Sequence, residues 1–188
     1  FSAIILAGGK SLRMGRNKAL LEYGGQPLIQ YSLKLAGALT SEIYIIDNGR
    51  DLNRLGYPVV RDIFPVSAPL AGIHAGIMAS TNAWNLVLTC DMPGVSPELI
   101  RYMITLLPER RKVLVPIHNG LVEPLCGFWH RDMLPELENQ LNSERYSPLE
   151  LIRNFPERMT DISGDKRFNP ALLFRNINNP ADLSTRED

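Results

Sequence analysis

Short apolar runs alternate with segments of helical periodicity along the 188 residues of the chain, and this alternation restricts the possible folds most. Strands that alternate with helices form a mostly parallel sheet whose two faces are covered by helices. We therefore predict an α/β fold in which residues 1–188 form a single Rossmann-like domain of three layers. The predicted strands are apolar runs bounded by turn residues: Ala3–Ala7, Ile43–Ile46, Val59–Val60, Leu86–Thr89, Val113–Pro116 and Leu172–Phe174.

The predicted helices lie between these runs and are recognised from their periodicity and their capping residues. In Pro27–Leu39 and Pro69–Met78, apolar residues recur at the spacing of one helical face. Pro27 is suited to the first turn, where a helix needs no backbone donor. Glu150 would complete a capping box with Ser147. Further helix starts combine a capping side chain with a proline at the first helical position: Ser96–Pro97, Ser147–Pro148 and Asn179–Pro180.

Charge and composition argue against several classes of function. Twenty basic residues balance twenty acidic ones, whereas proteins that bind the nucleic-acid backbone carry a basic excess, so no nucleic acid is expected. No apolar run approaches the roughly 18 residues that span a bilayer, so no membrane is expected. Cys90 and Cys126 are too few for a disulfide framework and lie in apolar stretches. They favour buried, reduced thiols and a cytoplasmic protein.

A glycine-rich basic loop, Gly8–Lys18, follows the first predicted strand. Gly8 and Gly9 let the backbone approach a ligand and turn its N–H groups toward an anion. Arg13 and Lys18 add positive charge with donors suited to phosphate oxygens. The loop has neither the first glycine of a Walker A motif nor a GxGxxG fingerprint. It predicts a phosphate site of another kind, and a solvated basic surface loop is the alternative.

Single carboxylates follow three of the predicted strands: Asp47, Asp62 and Asp91. Ligands of parallel α/β sheets bind outside the carboxyl ends of the strands, where these side chains would meet. Mg²⁺ prefers oxygen ligands and commonly shares its coordination sphere with substrate phosphates. Asp91 is therefore the predicted metal ligand, and a structural turn cap before Pro93 is the alternative for this residue.

Five motif segments follow one another along almost the whole chain: Leu6–Leu21, Pro69–Ile77, Leu88–Ile100, Glu123–Trp129 and Phe174–Leu183. Together they resemble the molybdenum cofactor guanylyltransferases, which attach GMP to molybdopterin. The first segment is shared by all nucleotidyltransferases of this fold, whereas the complete set is more specific. The resemblance implies a fold of the nucleotide-diphospho-sugar transferase-like type.

The same resemblance implies a role for individual residues. The backbone of the Leu6–Gly8 segment would contact guanine, Lys18 the phosphates, and Asp91 both the nucleotide and Mg²⁺. Gly8 stands where cytidylyltransferase relatives carry alanine, and the extra room favours the purine of GTP. The complete set of residues expected to bind the nucleotide is Leu6, Ala7, Gly8, Gly9, Lys18, Asp47, Asp62 and Asp91.

Three positions depart from the family pattern. Asn17 stands where many members have Asp, and Ala68 where a glycine usually opens the GPLAG segment. Asp47 stands where an asparagine binds the nucleotide, so an amide donor is lost and that contact is in doubt. None of the three changes removes a charge that the chemistry requires.

The predicted function is Mg²⁺-dependent transfer of GMP from GTP to the phosphate of molybdopterin or molybdenum-molybdopterin, with release of pyrophosphate. Arg13, Lys18 and Asp91 are the predicted catalytic residues, acting by positioning and by charge stabilisation. The resemblance also implies transient contacts with molybdoenzymes and other cofactor-assembly proteins. A cytidylyl- or sugar-phosphate nucleotidyltransferase is one alternative, and a non-catalytic nucleotide-binding cofactor chaperone is another.

Overall fold

The computed structural model describes residues 1–8, 17–49, 51–107, 112–153, 159–178 and 182. Its strands are β1 (Ser2–Leu6), β2 (Glu22–Tyr23), β3 (Gln26–Pro27), β4 (Ile43–Ile46), β5 (Val59–Val60), β6 (Trp84–Thr89), β7 (Val113–His118), β8 (Leu121–Val122), β9 (Gly127–His130) and β10 (Met159–Asp161). Its α-helices are α1 (Ile29–Gly37), α2 (Pro69–Ala79), α3 (Pro97–Thr105), α4 (Leu134–Asn142), α5 (Pro148–Arg153) and α6 (Pro170–Leu173).

The main sheet has the strand order β10-β7-β9-β6-β1-β4-β5, with β8 paired to β7 and β2 paired to β3 as a separate hairpin. β1 lies between β4 and β6 and is parallel to both, so that Leu6 is opposite Ile46 and Thr89. β9 runs antiparallel between β6 and β7. The carboxyl ends of β1, β4, β5, β6 and β7 therefore meet at one edge of a mostly parallel sheet, as predicted.

Helices cover both faces of this sheet because the strand side chains alternate between two apolar clusters. Ala3 and Ile5 of β1 pack in one cluster, which includes buried residues of α1 and α3. Ile4 and Leu6 pack in the other cluster, which includes buried residues of α2, α4 and α5. The three-layer arrangement predicted from the sequence is thus confirmed.

Two of the predicted helix starts have the expected capping contacts. The Ser96 hydroxyl accepts a hydrogen bond from the Leu99 N–H at the start of α3, and Pro97 occupies the first turn. The Ser147 hydroxyl accepts from the Glu150 N–H at 3.3 Å before α5. The Asn179–Pro180 start lies outside the described residues.

Two element predictions are wrong. Leu172–Phe174 is not a strand, because the Asn169 side chain caps the Ala171 N–H and Pro170 begins the short helix α6. The first helix does not begin at Pro27, which pairs with Glu22 in the β2–β3 hairpin. Both errors arise where local contacts that span a turn override the apolar pattern of a short segment.

The two cysteines are buried free thiols, as predicted. Burial raises the pKa of the Cys90 thiol to about 12, and burial also raises the pKa of Cys126. Both thiols are therefore protonated at neutral pH and are poor nucleophiles. Within the described ranges, no helix combines the length and the apolar character needed to cross a membrane.

We predict that Gly76→Ala destabilises the fold, because an added Cβ would lie 2.5 Å from the buried Ile4 Cγ2 atom where α2 packs on β1. Overpacking of this kind costs about 1–3 kcal/mol of unfolding free energy. Gly37→Ala is the matched control, since its Cβ would meet nothing within 4 Å at the end of α1. Urea unfolding measures both, and equal stability of the two variants would contradict the packing argument.

Candidate active site

A cavity of about 290 Å³ lies at the carboxyl edge of the sheet, and we call it the strand-end cavity. The wall of this cavity includes Leu6, Gly8, Asp47, Asn48, Asp62, Thr89 and Asp91. The cavity therefore brings together five of the predicted nucleotide-binding residues from four different strand ends. Ala7 is buried and is not part of the cavity wall. Gly9 and Arg13 lie outside the described residues.

Lys18 and Asp91 form an ion pair at this edge. The Lys18 Nζ atom donates to Asp91 Oδ2 at 2.9 Å, and the two side chains are only 17% and 24% exposed. The Thr89 hydroxyl donates to Asp91 Oδ1 at 2.8 Å, so both carboxylate oxygens are oriented by side chains. Lys18 begins a 3-10 turn in which the Ala19 N–H donates to the Asn17 side-chain oxygen at 3.0 Å. The pair therefore has a defined geometry, unlike a solvated surface lysine.

The segment 177–178 forms further hydrogen bonds with both members of this pair. The Ile177 N–H donates to the Asp91 carbonyl oxygen at 2.8 Å. Asn178 Oδ1 accepts from Lys18 Nζ at 3.0 Å, and the Asn178 N–H donates to the Asp182 carboxylate at 2.7 Å. Sequence reasoning included this segment in the family resemblance but assigned no role to Asn178.

Asp47 and Asp62 form a pair of carboxylates in the cavity wall. Asp47 is 5% exposed, and among the described residues one oxygen of each carboxylate, Asp47 Oδ2 and Asp62 Oδ1, is buried without a hydrogen-bond partner. Burial raises the pKa of both carboxyl groups. The charge of Asp47 adds to the shift at Asp62. Buried acceptors without a partner are unfavourable in the free protein, and donors of a ligand would satisfy them.

Asn48 brings an amide into the cavity beside the position where the family asparagine was expected. Its Nδ2 atom donates to Asp62 Oδ2 at 2.7 Å, and its Oδ1 atom accepts from the Asp62 N–H at 3.0 Å. The loss of an amide at position 47 was expected from the sequence, whereas a role for Asn48 was not. The signal was available, because Asn48 is the second residue after the end of β4, next to Asp47.

Gly8 contributes space to the cavity and not a free backbone donor. Its N–H donates to the Ile46 carbonyl oxygen at 3.0 Å, so it does not point to an anion as predicted. A Cβ at this position would lie 3.7 Å from the Asp47 Cα atom, an ordinary contact distance. An alanine would therefore fit the fold and would occupy part of the cavity.

Comparison with solved structures defines the fold class. Molybdopterin-guanine dinucleotide biosynthesis protein A from Archaeoglobus fulgidus superposes with a TM-score of 0.79 and 22% identity, covering 97% of this chain and 95% of that chain. The mostly parallel sheet is shared with the nucleotide-diphospho-sugar transferase-like proteins. The fold class predicted from the sequence is confirmed.

Comparison of sequences defines the family. Residues 3–158 match the MobA-like NTP transferase domain. The "Probable molybdenum cofactor guanylyltransferase" of Pelotomaculum thermopropionicum is 35% identical over 97% of this chain and 89% of its own length. The molybdenum cofactor guanylyltransferase of Syntrophotalea carbinolica is 30% identical over 100% of this chain and 88% of its own. The chain belongs to the MobA-like NTP transferase family and is a nucleotidyltransferase.

We predict that Asp47→Asn stabilises the fold at about pH 8, and that the gain shrinks as the pH falls toward 4. Burial raises the pKa of Asp47 above the ordinary value of 3.8, so its ionisation opposes folding as the pH rises through the folded-state pKa. Urea unfolding at both pH values measures the change.

Asp161→Asn is the control of opposite sign. A hydrogen bond from the Ser163 hydroxyl lowers the pKa of Asp161, so its ionised form favours folding. This variant should lose stability at about pH 8, and a gain there would contradict the assignment of these shifts.

Proposed function

We propose that this protein transfers GMP from GTP to the phosphate of molybdopterin, or of molybdenum-molybdopterin, to form molybdopterin guanine dinucleotide. The observation that carries the proposal is the Lys18–Asp91 pair at the edge of the strand-end cavity. The pair combines a phosphate-binding cation with a metal-binding carboxylate. The names of the two relatives support the choice of GTP and of a molybdopterin acceptor.

The reaction requires little covalent chemistry from the protein. An oxygen of the acceptor phosphate attacks the α-phosphorus of GTP, and the bond from that phosphorus to the bridging oxygen of the β-phosphate breaks. The electron pair leaves with pyrophosphate. The nucleophile is already ionised, so no general base is needed, and catalysis comes from in-line positioning and electrostatic stabilisation. Lys18 supplies positive charge for the phosphates, and Arg13 is proposed to add to it.

The chemistry of Asp91 fits a Mg²⁺ ion held jointly with the substrate. Its carboxylate lies at a strand end and lines the cavity, with the Thr89 hydroxyl beside it. Across the described part of the chain, no group of three or more His, Cys, Asp or Glu side chains could hold a metal alone. Phosphate oxygens of the nucleotide would supply the missing ligands, as they commonly do for Mg²⁺. When bound, the ion would stabilise the charge that develops on the phosphates.

The opposite wall is suited to the nucleoside. We propose that the backbone of Leu6, Ala7 and Gly8, with Gly9, lies against guanine, while Asp47 and Asp62 accept hydrogen bonds from the nucleotide. The two buried carboxylate oxygens without partners support this assignment. The room beside Gly8 supports a purine over a pyrimidine.

We further propose that the reaction takes place in the cytoplasm, where a reducing environment keeps buried free thiols such as Cys90 and Cys126 reduced. The product is a cofactor that must reach an apoenzyme. Transient contacts with molybdoenzymes and with other cofactor-assembly proteins follow from that requirement.

The proposal is tested by pyrophosphate release in the presence of Mg²⁺ and molybdopterin with GTP, CTP, ATP or UTP. We expect GTP to support the fastest release and to raise the melting temperature most. A preference for CTP would instead indicate that the protein is a cytidylyltransferase. Binding of GTP without pyrophosphate release would instead indicate a carrier of the cofactor.

We predict that Asp91→Asn lowers Mg²⁺-dependent turnover by about a hundredfold or more, since metal assistance contributes several kcal/mol and about 1.4 kcal/mol is a factor of ten. The amide retains the shape of the side chain and can still accept from the Thr89 hydroxyl, but it loses the ion pair with Lys18, so the melting temperature should fall only slightly. Asp132→Asn, at a side chain that is 68% exposed, is the matched control. Near-normal turnover of Asp91→Asn would show that Asp91 is not a catalytic residue.

A further inference from the structure

A second cavity, of about 230 Å³, lies beside the Lys18–Asp91 pair and shares no wall residue with the strand-end cavity. We call it the tyrosine cavity. We propose that it binds the flat fused heterocycle of the acceptor, whose phosphate reaches toward Lys18. This inference rests on the proposed function, because it assigns the second substrate of the same reaction to a place. The wall is formed by Tyr23, Tyr31, Pro93, Gly94, Leu172 and Ile177.

Two parts of this wall are joined directly to the ion pair. Pro93 follows Asp91 by two residues, a span of at most about 7 Å along the backbone. The Ile177 N–H donates to the Asp91 carbonyl oxygen at 2.8 Å. The next residue, Asn178, accepts from Lys18 at 3.0 Å. The loop after Asp91 and the segment 177–178 therefore connect the tyrosine cavity to both charged residues.

The chemistry of the wall favours an aromatic ring over a sugar. The Tyr23 and Tyr31 rings lie 5.7 Å apart at an angle of 59°. The Tyr31 hydroxyl donates to the Tyr23 carbonyl oxygen at 2.9 Å, which holds the two residues together. Leu172 is 54% exposed, and a stacked ring would cover part of it. Aromatic and aliphatic walls of this kind bind flat heterocycles by stacking and by apolar burial.

The cavity is preformed, because two of the segments that line it, the loop after Asp91 and helix α6, are in direct contact. A Cβ at Gly94 would collide with the Leu172 carbonyl oxygen, so the loop after Asp91 touches α6 directly. Arg175 also lines the cavity and adds positive charge to a wall that is otherwise mainly apolar.

The test uses the full chain and 6-hydroxymethylpterin, a fluorescent fused heterocycle without a phosphate, as the probe. We expect the wild type to bind it and Leu172→Asn to weaken the affinity about tenfold, with GTP affinity measured by calorimetry unchanged. Leu121→Asn is the matched control, because Leu121 is 62% exposed and lies outside the cavity wall. Tyr23→Leu, which removes a ring and keeps an apolar side chain, should weaken the pterin in the same way. It serves as the second variant if Leu172→Asn is unstable.

Each result bears on one of the two proposals. Absence of pterin binding by the wild type, or equal binding by wild type, Leu172→Asn and Tyr23→Leu, overturns the assignment of the cavity. Displacement of the pterin by ribose 5-phosphate would overturn the choice of an aromatic ring. Failure of the wild type to bind GTP would contradict the proposed function, while loss of pterin affinity confined to the cavity variants would still support the cavity assignment.

Discussion

The parallel pairing of β1 with β4 on one side and with β6 on the other is the constraint on which the site depends. The register sets Leu6 opposite Ile46 and Thr89, so the residues that follow these three positions leave the sheet at one edge. Gly8, Asp47 and Asp91 are distant in sequence and become neighbours only through this pairing. A shift of one residue in either ladder would turn the side chains of that strand to the opposite face and separate the groups.

The apolar clusters on the two faces of the sheet allow the edge to carry unfavourable polar groups. Asp47 and Asp62 each bury a carboxylate oxygen that lacks a partner within the described residues, and such an acceptor costs about 1–3 kcal/mol. The Lys18–Asp91 pair is satisfied instead by Thr89 and Asn178. One side of the site is therefore held in place before substrate arrives, and the other side gains hydrogen bonds when it arrives. Local conflicts of this kind are expected at functional sites of otherwise consistent folds.

Several features could be predicted because they depend on local pattern alone. The apolar runs of β1, β4 and β6 are long enough to identify buried strands, and Asp47, Asp62 and Asp91 follow strands at positions that the pattern already defines. Leu172–Phe174 failed because three apolar residues suit a strand and a short helix equally well, and the Asn169 cap decided between them. β9 and β10 are short strands whose place depends on the neighbours they pair with, so no local signal identifies them.

The sequence by itself determined the α/β class, the family, and the identity of the charged residues at the strand ends, because hydrophobic periodicity and residue type are properties of the chain. Only the tertiary structure decided which of these residues touch. The Lys18–Asp91 contact spans 73 positions and the Lys18–Asn178 contact spans 160. It also decided that Asn48 faces Asp62, that the Gly8 N–H is occupied by Ile46, and that Tyr23 and Leu172 line a common cavity. Such contacts depend on strand order and on the packing of helices against the sheet, which are set by the burial of the whole core and are not encoded in any single segment.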